Sequence, residues 1–391
     1  SRGLGDVYKR QVYRHAAKAD SVQQRRPNVV LIMMESMSAK FMKHFGQSET
    51  LTPFLDSLYT RSISFRNFYS AGIHTNHGLY ATLYSFPAMM KRNLMKGSVI
   101  PRYSGLPTVL KENGYYNLFF MTHEGQYDNM NAFFRTNGYD EVFSQENYPA
   151  DKVVNSFGVQ DDFLYDYAIP VLNQRAATGQ PFFATLLSIS NHPPYVIPPF
   201  FHPKTSEPET QIVEYADWAL RQFFEEARKQ PWFDNTIFVL EGDHGKLVGD
   251  AECELPESYN HIPLMIYSSR IQPEEKTTFG GQVDIQPTIL GLLNIDYLQN
   301  NFGVDLLKEE RPCMFYTADN MVVGRNDTLL YLYNYETQQE LTYDIGNGKL
   351  NAVPMDDSFL PLKEYSFSML QSAEFLVKHG KTLNSIPFTQ Q

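Results

Sequence analysis

The chain has 391 residues, of which 42% are hydrophobic and 20% are charged, as in ordinary globular proteins. Its 33 basic and 44 acidic residues give a formal net charge of −11, which argues against nucleic acid as a partner. The two cysteines, Cys253 and Cys313, are too few for a disulfide scaffold or a thiolate zinc cluster. They leave one disulfide or two free thiols open.

Residues 1–26 are interpreted as a tail or linker, within which the Gly-rich, basic stretch 1–11 reads as non-native sequence. No apolar run exceeds about seven residues, whereas a membrane span needs about 20. We therefore expect the chain as given to be soluble. The elements predicted after the tail are strands at 28–34, 64–69, 117–121, 182–189, 236–240 and 261–267, helices at 52–58, 79–83, 106–113, 130–137, 161–177, 215–229 and 283–293, short strands at 314–316, 321–323, 328–333 and 341–344, and a helix at 365–379.

Strands alternate with helices up to about residue 270, and several strands are continuous apolar runs. This pattern is typical of an α/β fold with a mostly parallel sheet flanked by helices. After residue 305 the short runs are separated by turn residues, which indicates an antiparallel meander. The sequence thus predicts a catalytic domain at 27–305 and a smaller C-terminal subdomain at 306–391, made of an antiparallel sheet and a terminal helix.

Polar residues cluster just beyond the predicted buried strands. Glu35, His123 and His192 each follow one strand, and Asp243 and His244 follow another. Open α/β sheets bind ligands at the carboxyl ends of their strands, so we expect Glu35, Asp243 and His244 to reach one divalent cation. The alternatives are a capped Asp-His turn and a solvated carboxylate at Glu35.

Thr75 lies between a predicted strand and a predicted helix. A hydroxyl at a helix N-terminus faces free N–H groups and the positive end of the helix dipole. A metal contact there would lower its pKa and make it a nucleophile. The alternative is that Thr75 only caps the helix.

Taken together in their order along the chain, several motifs between residue 27 and about residue 305 resemble a family of the alkaline phosphatase superfamily. This family is the sulfatase-like branch that contains the lipoteichoic acid synthases. The resemblance implies that fold, and it implies that Glu35, Thr75, Asp243 and His244 bind one manganese or zinc ion, with magnesium as a further option, and that Thr75 is the nucleophile. It rests on residues 27–31 with Glu35 and Ser36, 52–56, Thr75 with 81–83 and Pro87, 190–195, 242–245, 262–264 and 283–288.

The same resemblance implies substrate contacts. His192 and His123 would bind the transferred phosphate and its head group, and His261 lies where some relatives place another substrate-binding or metal-binding histidine. Asn129 is a further candidate substrate-binding residue. It belongs to the stretch 127–131, which stands where members acting on phosphatidylglycerol carry a Trp-x-Arg pair. The head group therefore stays open between phosphoglycerol and phosphoethanolamine types.

Two further positions depart from known relatives. Ser188 replaces an aspartate that helps to hold a second metal in two-metal members, so a single metal is expected. Residues 75–79 lack the Cys or Ser that sulfatases mature to formylglycine, which disfavours sulfate ester hydrolysis by that route.

The sequence therefore predicts a metal-dependent phosphotransferase of the cell envelope. It would move a phospho-alcohol group from a phospholipid-type donor to a glycan or lipid acceptor through a phosphothreonine intermediate. A phosphodiesterase, phosphatase or sulfatase-like hydrolase using the same site is the alternative, and a non-catalytic glycan or lipid sensor is the rival from another class. The resemblance also implies an extracytoplasmic, membrane-associated full-length protein whose N-terminal transmembrane region is missing here.

Overall fold

The computed structural model describes residues 12–14, 26–299 and 302–383. In these ranges, no helix combines the length and apolarity needed to cross a bilayer. The strands are β1 (Val12–Arg14), β2 (Asn28–Met34), β3 (Ile63–Tyr69), β4 (Tyr116–Phe120), β5 (Glu141–Phe143), β6 (Val153–Asn155), β7 (Gly158–Val159), β8 (Phe182–Leu187), β9 (Thr236–Gly242), β10 (Leu264–Tyr267), β11 (Glu274–Gly281), β12 (Tyr297–Gln299), β13 (Met314–Thr317), β14 (Met321–Arg325), β15 (Leu329–Asn334), β16 (Gln339–Gly346) and β17 (Lys349–Ala352). The helices are α1 (Pro53–Thr60), α2 (Thr75–Tyr84), α3 (Leu106–Glu112), α4 (Met130–Thr136), α5 (Asp161–Ala177), α6 (Pro208–Ala227), α7 (Ile285–Leu292) and α8 (Leu360–Lys378).

The central sheet has eight strands in the order β11-β3-β10-β9-β2-β8-β4-β5. It is mostly parallel, which confirms the predicted fold class, but β10 runs antiparallel to both β9 and β3. Strand β10 lies within the predicted strand 261–267, whose direction the sequence pattern did not give. The connection from β9 to β10 holds a single 3-10 turn, Glu257–Tyr259, and no crossover helix. Strand β10 therefore begins at the same end of the sheet at which β9 stops, and it runs in the opposite direction.

Strand β2 lies in the middle of this sheet, and all seven of its residues are buried. Its alternate residues enter two different cores, because successive side chains of a strand point to opposite faces. Val29, Leu31 and Met33 pack with α2, α3, α4 and α7 on one face. Val30 and Ile32 pack with α1, α5 and α6 on the other. The sheet is thus covered on both faces.

The C-terminal part contains the predicted antiparallel meander, with β13 to β17 paired in chain order. Helix α8 packs on it through residues such as Leu362 and Leu370. Arg311 joins this part to the larger one, because its guanidinium donates to the buried Asp284 carboxylate at 2.5 Å. The domain boundary at residue 305 stays a prediction.

Several details differ from the predicted elements. Helix α6 begins at Pro208 rather than at residue 215, with proline in its first turn and Glu209 beside it, a favourable helix start. Helix α8 begins at Leu360 rather than at residue 365. The stretch predicted as a tail contributes β1, which pairs antiparallel with β12.

Of the two alternatives left open for the cysteines, the structure has the second: Cys253 and Cys313 are both free thiols.

Candidate active site and metal centre

The candidate ligands lie at the carboxyl ends of two neighbouring strands of the central sheet. Strands β2 and β9 are parallel and in register from Asn28 with Thr236 to Met34 with Gly242. Glu35 and Asp243 follow directly, and the Asp243 N–H donates to the Met34 carbonyl at 3.0 Å. Ligand atoms of Glu35, Asp243 and His244 all lie within 4.8 Å of one another. The structure therefore brings these three predicted ligands together.

Thr75 joins this cluster from helix α2. Its hydroxyl lies 2.8 Å from Asp243 Oδ2 and 3.2 Å from Glu35 Oε2, so it can donate to either carboxylate. His74, rather than Thr75, is the N-cap residue of the helix. The alternative in which Thr75 only caps the helix is therefore wrong. Thr75 is half-buried.

The position of helix α2 depends on a close approach to the backbone of Asp243. A Cβ atom at Gly78 would lie 2.3 Å from the Asp243 carbonyl oxygen, so only glycine fits there without a shift. Gln282 Nε2 donates to the same carbonyl oxygen at 2.9 Å, and its Oε1 accepts from Ala71 N–H. These contacts hold the first turn of the helix against the end of β9.

The two buried carboxylates of the cluster favour the binding of a cation. Glu35 is 2% exposed and Asp243 is fully buried, which excludes the alternative of a solvated carboxylate at Glu35. Burial, and then repulsion by Asp243, hold the pKa of Glu35 well above its usual range. In the described part of the chain, no Lys or Arg forms an ion pair with either carboxylate, and His244 Nε2 lies 3.6 Å from both.

This donor set fits a divalent metal ion. Two carboxylates, one imidazole and one hydroxyl are the oxygen and nitrogen ligands that zinc and manganese accept. Backbone N–H groups of Ser36 and His244 donate to Asp243 Oδ1 at 2.9 and 2.7 Å, which leaves Oδ2 toward Thr75. Ser188 is not among the ligands, and its hydroxyl accepts from the Glu35 N–H at 3.0 Å.

The two histidines predicted to bind phosphate have the same ring nitrogen, Nδ1, close to a backbone carbonyl oxygen. His192 Nδ1 lies 2.6 Å from the Pro193 carbonyl oxygen, and His123 Nδ1 lies 3.2 Å from that of Glu124. In each ring, Nε2 is therefore the nitrogen left for a substrate. Burial lowers the pKa of His123, and the nearby His192 shifts it in the same direction. Their roles stay predictions.

His261 and Asn129 are held by other contacts. His261 Nε2 lies 2.8 Å from the Arg66 carbonyl oxygen, and its ring stacks on Tyr69. It is not part of the metal-ligand group found in the described residues. Asn129 Nδ2 donates to the Met95 carbonyl at 3.3 Å. Their predicted substrate contacts stay predictions.

A polar cluster centred on Lys246 was not predicted from the sequence. The Lys246 ammonium donates to Asn191 Oδ1 at 2.6 Å and to the Tyr195 hydroxyl at 2.9 Å. Asn191 in turn donates to the carbonyl oxygen of Ser36, next to Glu35. Burial lowers the pKa of Lys246 to about 8. The available signal was its place three residues after Asp243, beyond the same strand.

Comparison with known proteins identifies proteins that are similar to this chain. A family model described as Sulfatase matches residues 27–295. Lipoteichoic acid synthase 1 of Bacillus subtilis is 25% identical over 350 residues, which are 82% of this chain and 53% of that protein. Phosphoglycerol transferase I of Xanthomonas campestris is 26% identical over 323 residues, which are 78% of this chain and 46% of that protein. The chain thus spans about half the length of these curated relatives.

Solved structures show the same fold. A protein of the alkaline phosphatase superfamily from Vibrio parahaemolyticus has a TM-score of 0.83 and 28% identity, over 93% of this chain and 90% of that one. The lipoteichoic acid synthase LtaP from Listeria monocytogenes has a TM-score of 0.78 and 20% identity, over 96% and 98% of the two chains. These matches confirm the resemblance identified from the motifs. Since the family model covers well over half of its residues, the chain belongs to the sulfatase family.

Proposed function

We propose that this chain is the catalytic part of a metal-dependent phosphotransferase that acts on a phospho-alcohol group. The observation that carries the proposal is the Thr75 hydroxyl, which lies 2.8 Å from Asp243 Oδ2 at the N-terminus of a helix. A hydroxyl aimed at two buried carboxylates has a proton acceptor within reach. It also faces the helix end that stabilises negative charge.

Glu35, Thr75, Asp243 and His244 would hold one divalent ion, with manganese, zinc or magnesium as the options. When bound, such an ion lowers the pKa of the hydroxyl and offsets charge on phosphoryl oxygens. Asp243 orients Thr75, and the backbone donors on its other oxygen keep it in place.

Group transfer would proceed in two balanced steps. Thr75 Oγ1 attacks the donor phosphorus and passes its proton to the adjacent pair of buried carboxylates, while the bond from phosphorus to the leaving alkoxide breaks. A phosphothreonine diester forms. An acceptor hydroxyl then attacks the phosphorus and gives its proton to His192, and the released Thr75 oxygen takes its proton back from the carboxylates. We assign the proton for the leaving oxygen to His192, because its Nδ1 is already engaged and Nε2 is left for the substrate.

Lys246 would supply positive charge to the phosphate. It lies in the polar cluster with Asn191 and Tyr195, and its charge interacts with that of Glu35. This lysine would supply the positive charge that the Arg of the Trp-x-Arg pair, absent here, would supply in relatives acting on phosphatidylglycerol. The difference leaves the head group open between phosphoglycerol and phosphoethanolamine types.

The relatives support a phospholipid-type donor and a glycan or lipid acceptor, because they are named as lipoteichoic acid synthases and a phosphoglycerol transferase. We also propose that the protein acts on the extracytoplasmic side of the membrane, in the periplasm or at the outer face of the inner membrane.

The test is product analysis with manganese, a labelled phosphatidylglycerol or phosphatidylethanolamine donor, and glycerol present or absent as acceptor. Transfer to glycerol supports the proposal, whereas release of the head group only to water would identify the hydrolase. Acid-quenched wild-type protein should carry the donor phosphoryl group on Thr75, detected by peptide mass spectrometry. Thr75→Ala should lose turnover while it keeps bound metal, and Thr75→Ser should retain part of it. Turnover of Thr75→Ala near the wild-type rate would overturn the nucleophile assignment.

A further inference from the structure

One stretch of this acidic chain reverses the overall charge. Between Asp56 and Glu112 the sequence contains no Asp or Glu, although the net charge of the chain is −11. The basic residues of this stretch concentrate in one short segment, which contains Lys91, Arg92, Lys96 and Arg102.

This segment lines a cavity of about 320 Å³ on the surface. One wall is formed by residues 92–103 and the other by the chain that leaves helix α8, including Val377 and Thr382. Two hydrogen bonds join the walls at one end. Ser104 N–H donates to the Thr382 carbonyl at 2.9 Å, and the Thr382 hydroxyl donates to the Arg102 carbonyl at 2.5 Å. The cavity is therefore built by two segments that are far apart in sequence.

Its charged side chains are available to a ligand. In the described ranges, no hydrogen bond or ion pair engages the guanidinium of Arg92 or of Arg102. Lys96 pairs with Asp128 at 3.1 Å, and no acidic residue lines the cavity itself. A guanidinium presents several N–H donors in a planar fork that matches phosphate oxygens. Two such groups over one cavity favour a phosphate ester as ligand.

Apolar side chains stand exposed beside these charges. Val99, which also lines the cavity, is 80% exposed, and Leu383 at the end of the opposite wall is 44% exposed. Basic groups with neighbouring exposed apolar residues are typical of surfaces that lie at the boundary of head groups and acyl chains.

We propose that this cavity binds phosphate esters, with the head group of an anionic phospholipid as one source and a soluble phosphate ester as the other. None of its lining residues belongs to the cluster around Thr75. The segment 92–103 is nevertheless in contact with helix α2, which carries Thr75, because the Tyr80 hydroxyl of α2 donates to the Arg92 carbonyl at 3.4 Å. Binding here needs no turnover, so this inference stands or fails apart from the proposed function.

The experiment measures binding of the 391-residue chain in EDTA, which removes any metal-dependent phosphate binding near Thr75. One arm uses vesicles of phosphatidylglycerol mixed with phosphatidylcholine, with vesicles of phosphatidylcholine alone for comparison. The other arm uses soluble glycerol 1-phosphate in calorimetry. The variant is Arg92→Ser with Arg102→Ser, since both side chains are exposed and their loss should leave folding intact.

Each basic residue near an anionic lipid surface contributes about 1 kcal/mol, so the double variant should bind the mixed vesicles roughly 30-fold more weakly. The matched control is Arg228→Ser with Lys229→Ser, which removes the same charge just beyond α6, on the other face of the sheet. It should bind like the wild type.

Loss of vesicle binding alone assigns the cavity to lipid head groups, and loss in both arms extends it to soluble phosphate esters. Loss of glycerol 1-phosphate binding alone assigns it to the soluble source. Unchanged binding in both arms, or an equal loss in the control, would overturn the proposal.

Discussion

Replacing Gly78 with alanine sets two physical effects against each other. Gly78 lies inside helix α2, where alanine is preferred to glycine by about 1 kcal/mol in an isolated helix. The added Cβ, however, would lie 2.3 Å from the Asp243 carbonyl oxygen. Ordinary contact begins at 3.4 Å, so the helix and the end of β9 must separate by about 1.1 Å.

That displacement moves Thr75 away from Asp243, and a misplacement of about 1 Å can cost roughly 100-fold in rate. We therefore expect Gly78→Ala to lower kcat/KM by about 100-fold. We also expect it to lower the free energy of unfolding by about 1–3 kcal/mol, as overpacking does. Steady-state kinetics and urea denaturation measure the two quantities.

Gly114→Ala is the control, because its φ of +88° disfavours alanine for backbone reasons alone, and no atom lies within 4 Å of its added Cβ. It should cost some stability and leave kcat/KM unchanged. If Gly78→Ala were fully active and about 1 kcal/mol more stable than the wild type, the packing of α2 on Asp243 would be refuted.

Three further outcomes follow from the described contacts. Manganese at 100-fold above its Kd should raise the free energy of unfolding by about 2.7 kcal/mol, measured by thermal melts with and without EDTA; Asp243→Asn should lose most of this gain, and an equal gain in the variant would exclude Asp243 as a ligand. Arg311→Met should lower stability by about 3–5 kcal/mol, because it leaves the buried Asp284 carboxylate without its cation; in urea denaturation, Lys308→Met, whose cation is exposed, should cost under about 1 kcal/mol, and equal costs would contradict this account. Burial raises the pKa of the Cys253 thiol to about 12, so little thiolate forms at neutral pH and alkylation by iodoacetamide should speed up roughly tenfold per pH unit up to that value; a rate that levels off near pH 8.5, as for a free thiol in urea, would contradict the burial.

Much of the candidate site could be predicted because it is tied to strand ends. An apolar run such as 28–34 indicates a buried strand, and the polar residue that ends it must lie at the edge of the sheet. Glu35, Asp243 and His244 were identified in this way, and the structure places their ligand atoms within 4.8 Å of one another. Thr75 was found by its place before a helix.

The Lys246 cluster was not predicted, because Asn191 and Tyr195 come from a loop about 50 residues away in sequence. Local patterns do not reveal which loop folds over which strand end. The direction of β10 was also missed, since an apolar run has the same pattern in either direction. It depends on the connection from β9, which holds no crossover helix.

By itself, the sequence determined the α/β class, the strand ends with their carboxylates and histidines, and the C-terminal meander, because burial and periodicity are local properties of the chain. Only the tertiary structure decided that Thr75 faces two carboxylates, that Glu35 is buried beside Asp243, and that residues 92–103 meet the chain after α8 to form a basic cavity. These features depend on contacts between segments distant in sequence, which packing of the whole chain selects. The net charge of −11 is a sum over all residues, and the segment 91–102 shows that cations can be concentrated at one place in an acidic chain.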